Sequence, residues 1–459
     1  MSHETLTDFV QATAKKFDIP GVAVGVWMDG QEIYACHGVT SIDNPLPIDK
    51  DTLYLVGSVT KTYTATVLMH LVGSGLVELD APVRQYIPEL QLADEQAATE
   101  ITVWNLLNHT SGLDWGLIVD TGEGDDALAA YVEKMDKLKQ IAPPGVRASY
   151  SQAGYNLIGR IIEKVTGLTY EKAIISFVLD PLGLSHSFFA RDDVMTRRFA
   201  VGHNLGNNER LSVARLWRQS RGDNPGGGLV SSVSDLVRWS QFHLHEGKSA
   251  DFTYILPMEL LHRMKDPTIA LKGTNHDALG ICWFLRDVDG ICTIGHSGSA
   301  NGQFSELLIV PERNFAIVAL SNAGPNGIPF NQAVVRWALE EYLGVVDRDP
   351  EPIPYSETRA QEIIGIYEIE AQIITIRTDG TKMTLEAGIK PEIRAAADSE
   401  MPPDYPPADI GMLPGNGDEF IIINGGFQGK RGFFTRDESG TVNGLDLGGQ
   451  LFKQTSKPK

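Results

Sequence analysis

Apolar positions near the start of the chain recur at helical spacing: Leu6, Phe9, Val10 and Ala14 are related by three- and four-residue steps and predict a helix over 5–16. The run GVAVGVWMDGQEIYACHG then places β-prone stretches on either side of Asp29-Gly30, a strong short-range hairpin signal. After Ser58 the helical pattern returns, with Tyr63, Val67, Leu68, Leu71 and Val72 forming an apolar face until Gly73 and Gly75 stop it. Further helices are predicted over 102–108, 153–166, 171–177, 232–245 and 329–343. Near residue 304 the pattern is again that of strands, FSELLIVP and FAIVALSN flanking Glu312-Arg313-Asn314 like a hairpin. Strands at both ends of a mostly helical region predict one antiparallel sheet closed by those ends, with helices packed on it and a helical insert between, an α+β layout.

The pattern breaks at 346–359, where Pro350, Pro352 and Pro354 deny the chain a regular helix among acidic Asp347, Asp349, Glu351 and Glu357. This stretch reads as a linker between a domain over 1–345 and a second over 360–459. The second consists of β-prone runs split by Asp-Gly, Asn-Gly and Gly-Gly turns, the pattern of a small barrel or sandwich. Within it, EMPPDYPPADIGMLPGNG (400–417) reads as an irregular Pro-rich loop.

Composition narrows the functional classes. A formal net charge of −20 argues against nucleic acid and anionic membranes as partners, because both reward basic patches. Cys36, Cys282 and Cys292 are too few and too scattered for a disulfide scaffold or a CxxC zinc site. No apolar run of signal-peptide or membrane-span length is present, which predicts a cytoplasmic protein. His243 and His245 fall on different sides of a predicted helix, so no metal is expected, and no cofactor motif is seen. Trp115 and Trp283 read either as cleft lining or as core, and His109 as a residue that shapes a loop.

The most informative tetrapeptide is Ser58-Val59-Thr60-Lys61. On a helix, a spacing of three brings a Ser hydroxyl and a Lys amine onto one face, and a desolvated Lys can accept the hydroxyl proton. Taken alone, the same residues equally suit a helix cap and a solvated lysine. Tyr150 ends an irregular Pro-Gly segment just before a helix. A phenol near two cationic groups is drawn toward phenolate and could exchange protons with the serine. In IGHSGSANG (294–302), Gly295-His296-Ser297 imitates the start of a G-x-S-x-G nucleophile elbow. The fifth letter is Ser299 where glycine is needed, and the stretch precedes an expected strand rather than joining strand to helix, so Ser297 is not taken as the nucleophile. A backbone passing a reaction centre there could donate an N–H to an oxyanion.

In combination these pieces resemble the serine β-lactamase and penicillin-binding-protein superfamily, in its class C, D-aminopeptidase and esterase branch. Besides the SxxK, LLNHTSGL (106–113), PLGLSHS (181–187) and NPGGGLVSSVSDLVRW (224–239) look like segments of that family. Its Tyr-x-Asn is matched by Tyr150-Ser151-Gln152 and its Lys-Thr-Gly by His296-Ser297-Gly298. The resemblance implies a β-lactamase/transpeptidase-like domain followed by a lipocalin-like β-barrel that either covers the active-site mouth or stabilises a dimer. It implies Ser58 as the acylated nucleophile, Lys61 as its proton acceptor and Tyr150 as general acid/base. The N–H groups of Ser58 and Ser299 would form the oxyanion hole, and Gln152, His296 and Gly298 would contact substrate. Gln152 keeps a carboxamide on a longer arm, and His296 replaces an ammonium with a mostly neutral ring, which disfavours efficient β-lactam hydrolysis. The expected activity is hydrolysis of an amide or ester of modest size, such as a D-residue peptide, ester or lactone. A same-fold acyltransferase and a catalytically silent binding protein are the alternatives. The expected partners are small-molecule or short-peptide substrates, with homo-oligomerisation left open.

Overall fold

A computed structural model describes residues 5–456 except 206–209, 218–219, 249–253, 397–400, 402 and 416. Helix α1 (Leu6–Lys16) starts at Thr5, whose side chain forms a capping box with Asp8. Strands β1 (Gly21–Met28) and β2 (Gln31–Gly38) pair through a turn in which Asp29 (φ 50°) and Gly30 (φ 80°) take the left-handed conformations a tight hairpin requires. These strands share an antiparallel sheet with six from the far end of the domain. They are β3 (Ile269–Ala270), β4 (Ala278–Leu279), β5 (Phe284–Val288), β6 (Ile291–Ala300), β7 (Gln303–Val310) and β8 (Phe315–Ser321). The order is β2-β1-β8-β7-β6-β5-β4-β3, so β1 lies against β8 and the sheet joins the two ends as the pattern predicts.

Helices cover both faces. On one side α1 and α5 (Gly327–Leu343) bury a cluster around Val10, Phe315, Phe330 and Val334. On the other lie α4 (Val233–Leu244) and the helical region that contains α2 (Thr60–Gly73) and α3 (Gln152–Thr166). Helix α2 departs from the one-faced helix expected. Residues Thr60–Met69 are buried on every side, because α3, α4 and the 221–228 segment surround it. Its threonines remain satisfied by bonding carbonyls, Thr62 to Val59, Thr66 to Thr62 and Thr64 to Pro225. The helix predicted over 171–177 is α-helical only at Tyr170–Ile174 and continues as a π-turn over Ile175–Leu179.

The second β unit is a closed, all-antiparallel barrel of eight strands in sequential order. They are β9 (Gly365–Glu368), β10 (Gln372–Thr378), β11 (Met383–Ile389), β12 (Ala408–Met412), β13 (Glu419–Ile422), β14 (Arg431–Arg436), β15 (Val442–Leu447) and β16 (Gln450–Ser456). Strand β12 lies inside the Pro-rich run expected to be irregular. Its apolar Ala408, Ile410 and Met412 are needed to fill the barrel core, and of that run residues 400, 402 and 416 lie outside the described residues. The acidic stretch before the barrel is tied down, since Asp347 pairs with Arg286 and Arg336, and Asp349 with Arg336.

Candidate active site

Ser58 sits in a single 3-10 turn, Gly57–Val59, that runs directly into α2. Gly57 adopts φ +51°, and a Cβ there would lie 2.6 Å from the backbone N of Ser299 on β6. Strand β5 ends at Phe284, opposite Gly295, so residues 296–300 of β6 have no sheet neighbour on that side. The Ser58 turn abuts this free length. Gly298 permits the approach, because a Cβ there would meet the Val56 carbonyl at 2.0 Å and the Ser58 N at 2.8 Å. Ser305 Oγ donates to the same Val56 carbonyl at 2.7 Å and fixes the turn against the sheet. The stretch 294–302 therefore lies mostly within a strand, not before one as expected. Glycine and serine kept the pattern from reading as β, while cross-strand pairing holds the segment extended.

Lys61 is fully buried and makes three hydrogen bonds, to Ser58 Oγ at 3.2 Å, Gln152 Oε1 at 2.7 Å and the Gly226 carbonyl at 2.6 Å. No carboxylate forms an ion pair with it among the described residues, and burial drops its pKa to about 7. A substantial fraction is thus neutral near pH 7, within reach of the Ser58 proton. The longer arm of Gln152 reaches Lys61, so the carboxamide contact survives the exchange for asparagine.

Tyr150 lies with its ring 4.8 Å from the Lys61 amine. Its hydroxyl is buried and makes no hydrogen bond of normal geometry, with Ser58 as the polar neighbour that most favours ionisation. Burial outweighs that help and pushes the phenol well above its ordinary range. The expected drift toward phenolate is therefore not seen: Lys61 loses its proton readily and burial drops His296 to about 3, so neither stands as a firm cation beside the phenol. Tyr150 rests as a proton donor. His109 does more than shape a loop. Its carbonyl accepts from Ser149 N at 2.8 Å, its Nδ1 accepts from Ser151 N at 3.1 Å, and its ring stacks on Tyr150 at 4.4 Å.

Alternation along β6 separates two roles. His296 and Gly298 face the Ser58 side, whereas Thr293, Gly295 and Ser297 line a cavity of about 140 Å³ on the opposite face. His296 Nδ1 donates to the Ser297 carbonyl at 2.7 Å, leaving a buried, unpartnered Nε2 as an acceptor. A neutral acceptor suits a substrate N–H better than a carboxylate. The cavity is lined by α5 and the barrel and carries Glu306 from β7 and Lys430 and Arg431 from the barrel, none of them in a close ion pair among the described residues. Burial raises Glu306 to about 7 against the pull of Lys430 and Arg286, and burial lowers Lys430 against the pull of Glu306.

The barrel reaches the site directly. In the β15–β16 hairpin the Gly449 carbonyl accepts the Tyr150 backbone N–H at 2.8 Å, and Asp446 pairs with Arg147 at 2.7 Å. Nothing local in the sequence announces these contacts; the Gly448-Gly449 turn is the only trace, and it reads as an ordinary hairpin. Trp283 is wholly buried in the core, while Trp115 packs against the barrel core and its carbonyl accepts from Gln152 N at 2.6 Å. His243 lies in an aromatic cluster with Trp239 and Trp283, whereas His245 meets Trp27. Among the described residues no group of three His, Cys, Asp or Glu is arranged to hold a metal, and no helix is long and apolar enough to cross a membrane.

Comparison with known proteins identifies the family and the fold. Penicillin-binding protein 4 of Amycolatopsis lactamdurans is 33% identical over 362 residues, 77% of this chain and 94% of its own length. The octameric penicillin-binding protein homologue from Pyrococcus abyssi superposes with a TM-score of 0.67 at 25% identity, over 99% of both chains. The structure of SurE superposes with a TM-score of 0.70 at 24% identity, over 98% of both chains, and shows a shared fold that extends through the barrel. The family described as Beta-lactamase matches residues 6–338. The chain belongs to the beta-lactamase family, whose serine hydrolases work through an acyl-enzyme.

Proposed function

We propose that the protein hydrolyses the amide or ester bond of a small acyl donor through an ester on Ser58, with a short peptide of the D-residue type as its preferred substrate. The observation that carries this reading is a buried lysine 3.2 Å from Ser58 Oγ with no ion-pairing carboxylate among the described residues. Neutral Lys61 takes the Ser58 proton as Oγ bonds to the substrate carbonyl carbon, and the oxygen becomes an oxyanion facing the N–H groups of Ser58 and Ser299. The tetrahedral species collapses as the C–N or C–O bond breaks, and the leaving group takes the Tyr150 proton, which Lys61 replaces. Water then attacks the acyl ester and gives a proton to the Tyr150–Lys61 pair, which passes it to Ser58 Oγ as the bond between Oγ and the acyl carbon breaks and the acid leaves. Gln152 holds Lys61, Gly298 leaves room, and His296 accepts a substrate N–H.

His296 is uncharged and offers an acceptor, and the barrel cations Lys430 and Arg431 lie in the cavity on the face of β6 away from Ser58, so the site suits an acyl donor with an N–H near the scissile bond rather than one held by a free carboxylate. The test compares kcat/KM for N-acyl-D-dipeptides with free and amidated C-termini and for a neutral ester, in wild type and in Ser58→Ala. Support is cleavage of the amidated peptide by wild type at least as fast as that of the free acid. A strong preference for the free acid would refute the substrate reading, and equal turnover by Ser58→Ala would refute the mechanism.

A further inference from the structure

One segment beside Lys61 carries a charge that bears on its proton equilibrium. Residues Arg221–Asp223 form a 3-10 turn that continues into the short helix Asn224–Gly227. This segment supplies the Gly226 carbonyl to Lys61 at 2.6 Å, and the Asp223 carbonyl accepts from Gln152 Nε2 at 3.2 Å. Asn156, one turn beyond Gln152 on α3, completes the connection: its Nδ2 donates to Asp223 Oδ1 at 2.9 Å, and its Oδ1 lies 3.4 Å from Gln152 Nε2. The carboxamide of Gln152 is thereby oriented with its nitrogen toward Asp223 and Asn156 and its oxygen toward Lys61. The segment is anchored from outside by the two-pronged Arg221–Glu171 pair, by Asn224 Nδ2 on Glu171 at 2.7 Å, and by Thr64 Oγ1 on the Pro225 carbonyl at 2.7 Å.

The groups facing Lys61 come from several elements. They are Ser58 on its own turn, Gln152 and Tyr155 on α3, Tyr150 before it, His109, Cys282, His296 on β6, and Asp223. Burial keeps the two phenols and the Cys282 thiol protonated and both imidazoles uncharged. Asp223, which itself faces Asn156, Asp120 and Tyr131 and is raised to about 7 by burial, is left as the group whose carboxylate form acts on Lys61.

Resting on the reading of Lys61 as proton acceptor, we infer that Asp223 is a positioning residue that orients Lys61 through Asn156 and Gln152 and stabilises its protonated form. Asp223→Asn keeps an acceptor for Asn156 and removes the charge. Asn156→Ala removes the donor that favours the Asp223 carboxylate and leaves the fold of the segment to its other anchors.

The readout is the 13Cε resonance of Lys61 in 13C-lysine protein, identified by its loss in Lys61→Met and titrated with pH, alongside the acid limb of kcat/KM for an activated ester. In wild type the midpoint falls at about 7. In both variants it moves to lower pH by roughly half a unit or more, because an opposite charge that favoured the ammonium is lost or weakened. An unmoved midpoint in both variants, whatever happens to Tm, would reduce Asp223 to a structural anchor and overturn the inference. The resonance reports without turnover. A wild-type enzyme that titrates as expected but does not acylate Ser58 would sink the functional reading and leave this inference standing.

Discussion

Gly298→Ala probes the oxyanion geometry with a single methyl group. The new Cβ would fall 2.0 Å from the Val56 carbonyl oxygen and 2.8 Å from the Ser58 backbone nitrogen, both backbone atoms that no side-chain rotation can clear. Reaching an ordinary contact of about 3.4 Å from that oxygen requires β6 and the Ser58 turn to separate by more than about 1 Å. The two N–H groups meant for the oxyanion would then no longer converge. A displacement of about 1 Å costs on the order of 100-fold in rate, and loss of one such donor costs about 100- to 1,000-fold. The expected result is a fall in kcat of that size on a p-nitrophenyl ester, with KM little changed. Overpacking also costs stability, roughly 1–3 kcal/mol, read as a lower Tm. Ser297→Ala is the control: its side chain faces the cavity on the other side of β6, and it should keep wild-type kcat on that ester. A Gly298→Ala enzyme that folds and retains wild-type kcat would show that this backbone does not receive the oxyanion.

Other expectations follow from the same geometry. The acid limb of ester turnover should lie near pH 7, with rate falling about tenfold per unit below it as Lys61 gains its proton; a limb near pH 4 would point to a carboxylate base. Tyr150→Phe should slow amide cleavage about 100- to 10,000-fold while an ester with a good leaving group suffers much less, since the phenol serves as acid; equal losses on both would contradict that role. Arg147→Met leaves Asp446 buried without its partner and frees the barrel hairpin beside Tyr150, so Tm should drop by the equivalent of roughly 1–3 kcal/mol. An unchanged Tm would mean that this interdomain pair contributes nothing.

The α+β sheet and the SxxK were legible in the sequence because both are written locally. Asp29-Gly30 marks one hairpin, Glu312-Arg313-Asn314 another, and a spacing of three brings Ser58 and Lys61 together whatever surrounds them. The partners of Lys61 were harder to read. Gly226 meets it, and Asn156 and Asp223 connect to it by way of Gln152, only through the packing of a short turn on two helices, and such contacts carry no periodicity. The phenolate expectation for Tyr150 failed for a related reason: sequence lists nearby cations but not burial, and here burial neutralises the cations and protonates the phenol together. Strand β12 was hidden by flanking prolines, and the barrel's hold on Tyr150 is one backbone bond from Gly449, a residue type with no side chain to suggest it.

The most direct measurement is intact-mass and peptide-mapping detection of the adduct formed with a fluorophosphonate, and with slowly turned-over esters, in wild type, Ser58→Ala and Lys61→Met. One adduct on Ser58 in wild type, none in Ser58→Ala and at least 100-fold slower labelling in Lys61→Met is the expected result. An adduct on Ser297 or elsewhere, or undiminished labelling of Ser58→Ala, would contradict the assignment of Ser58 as the acylated residue.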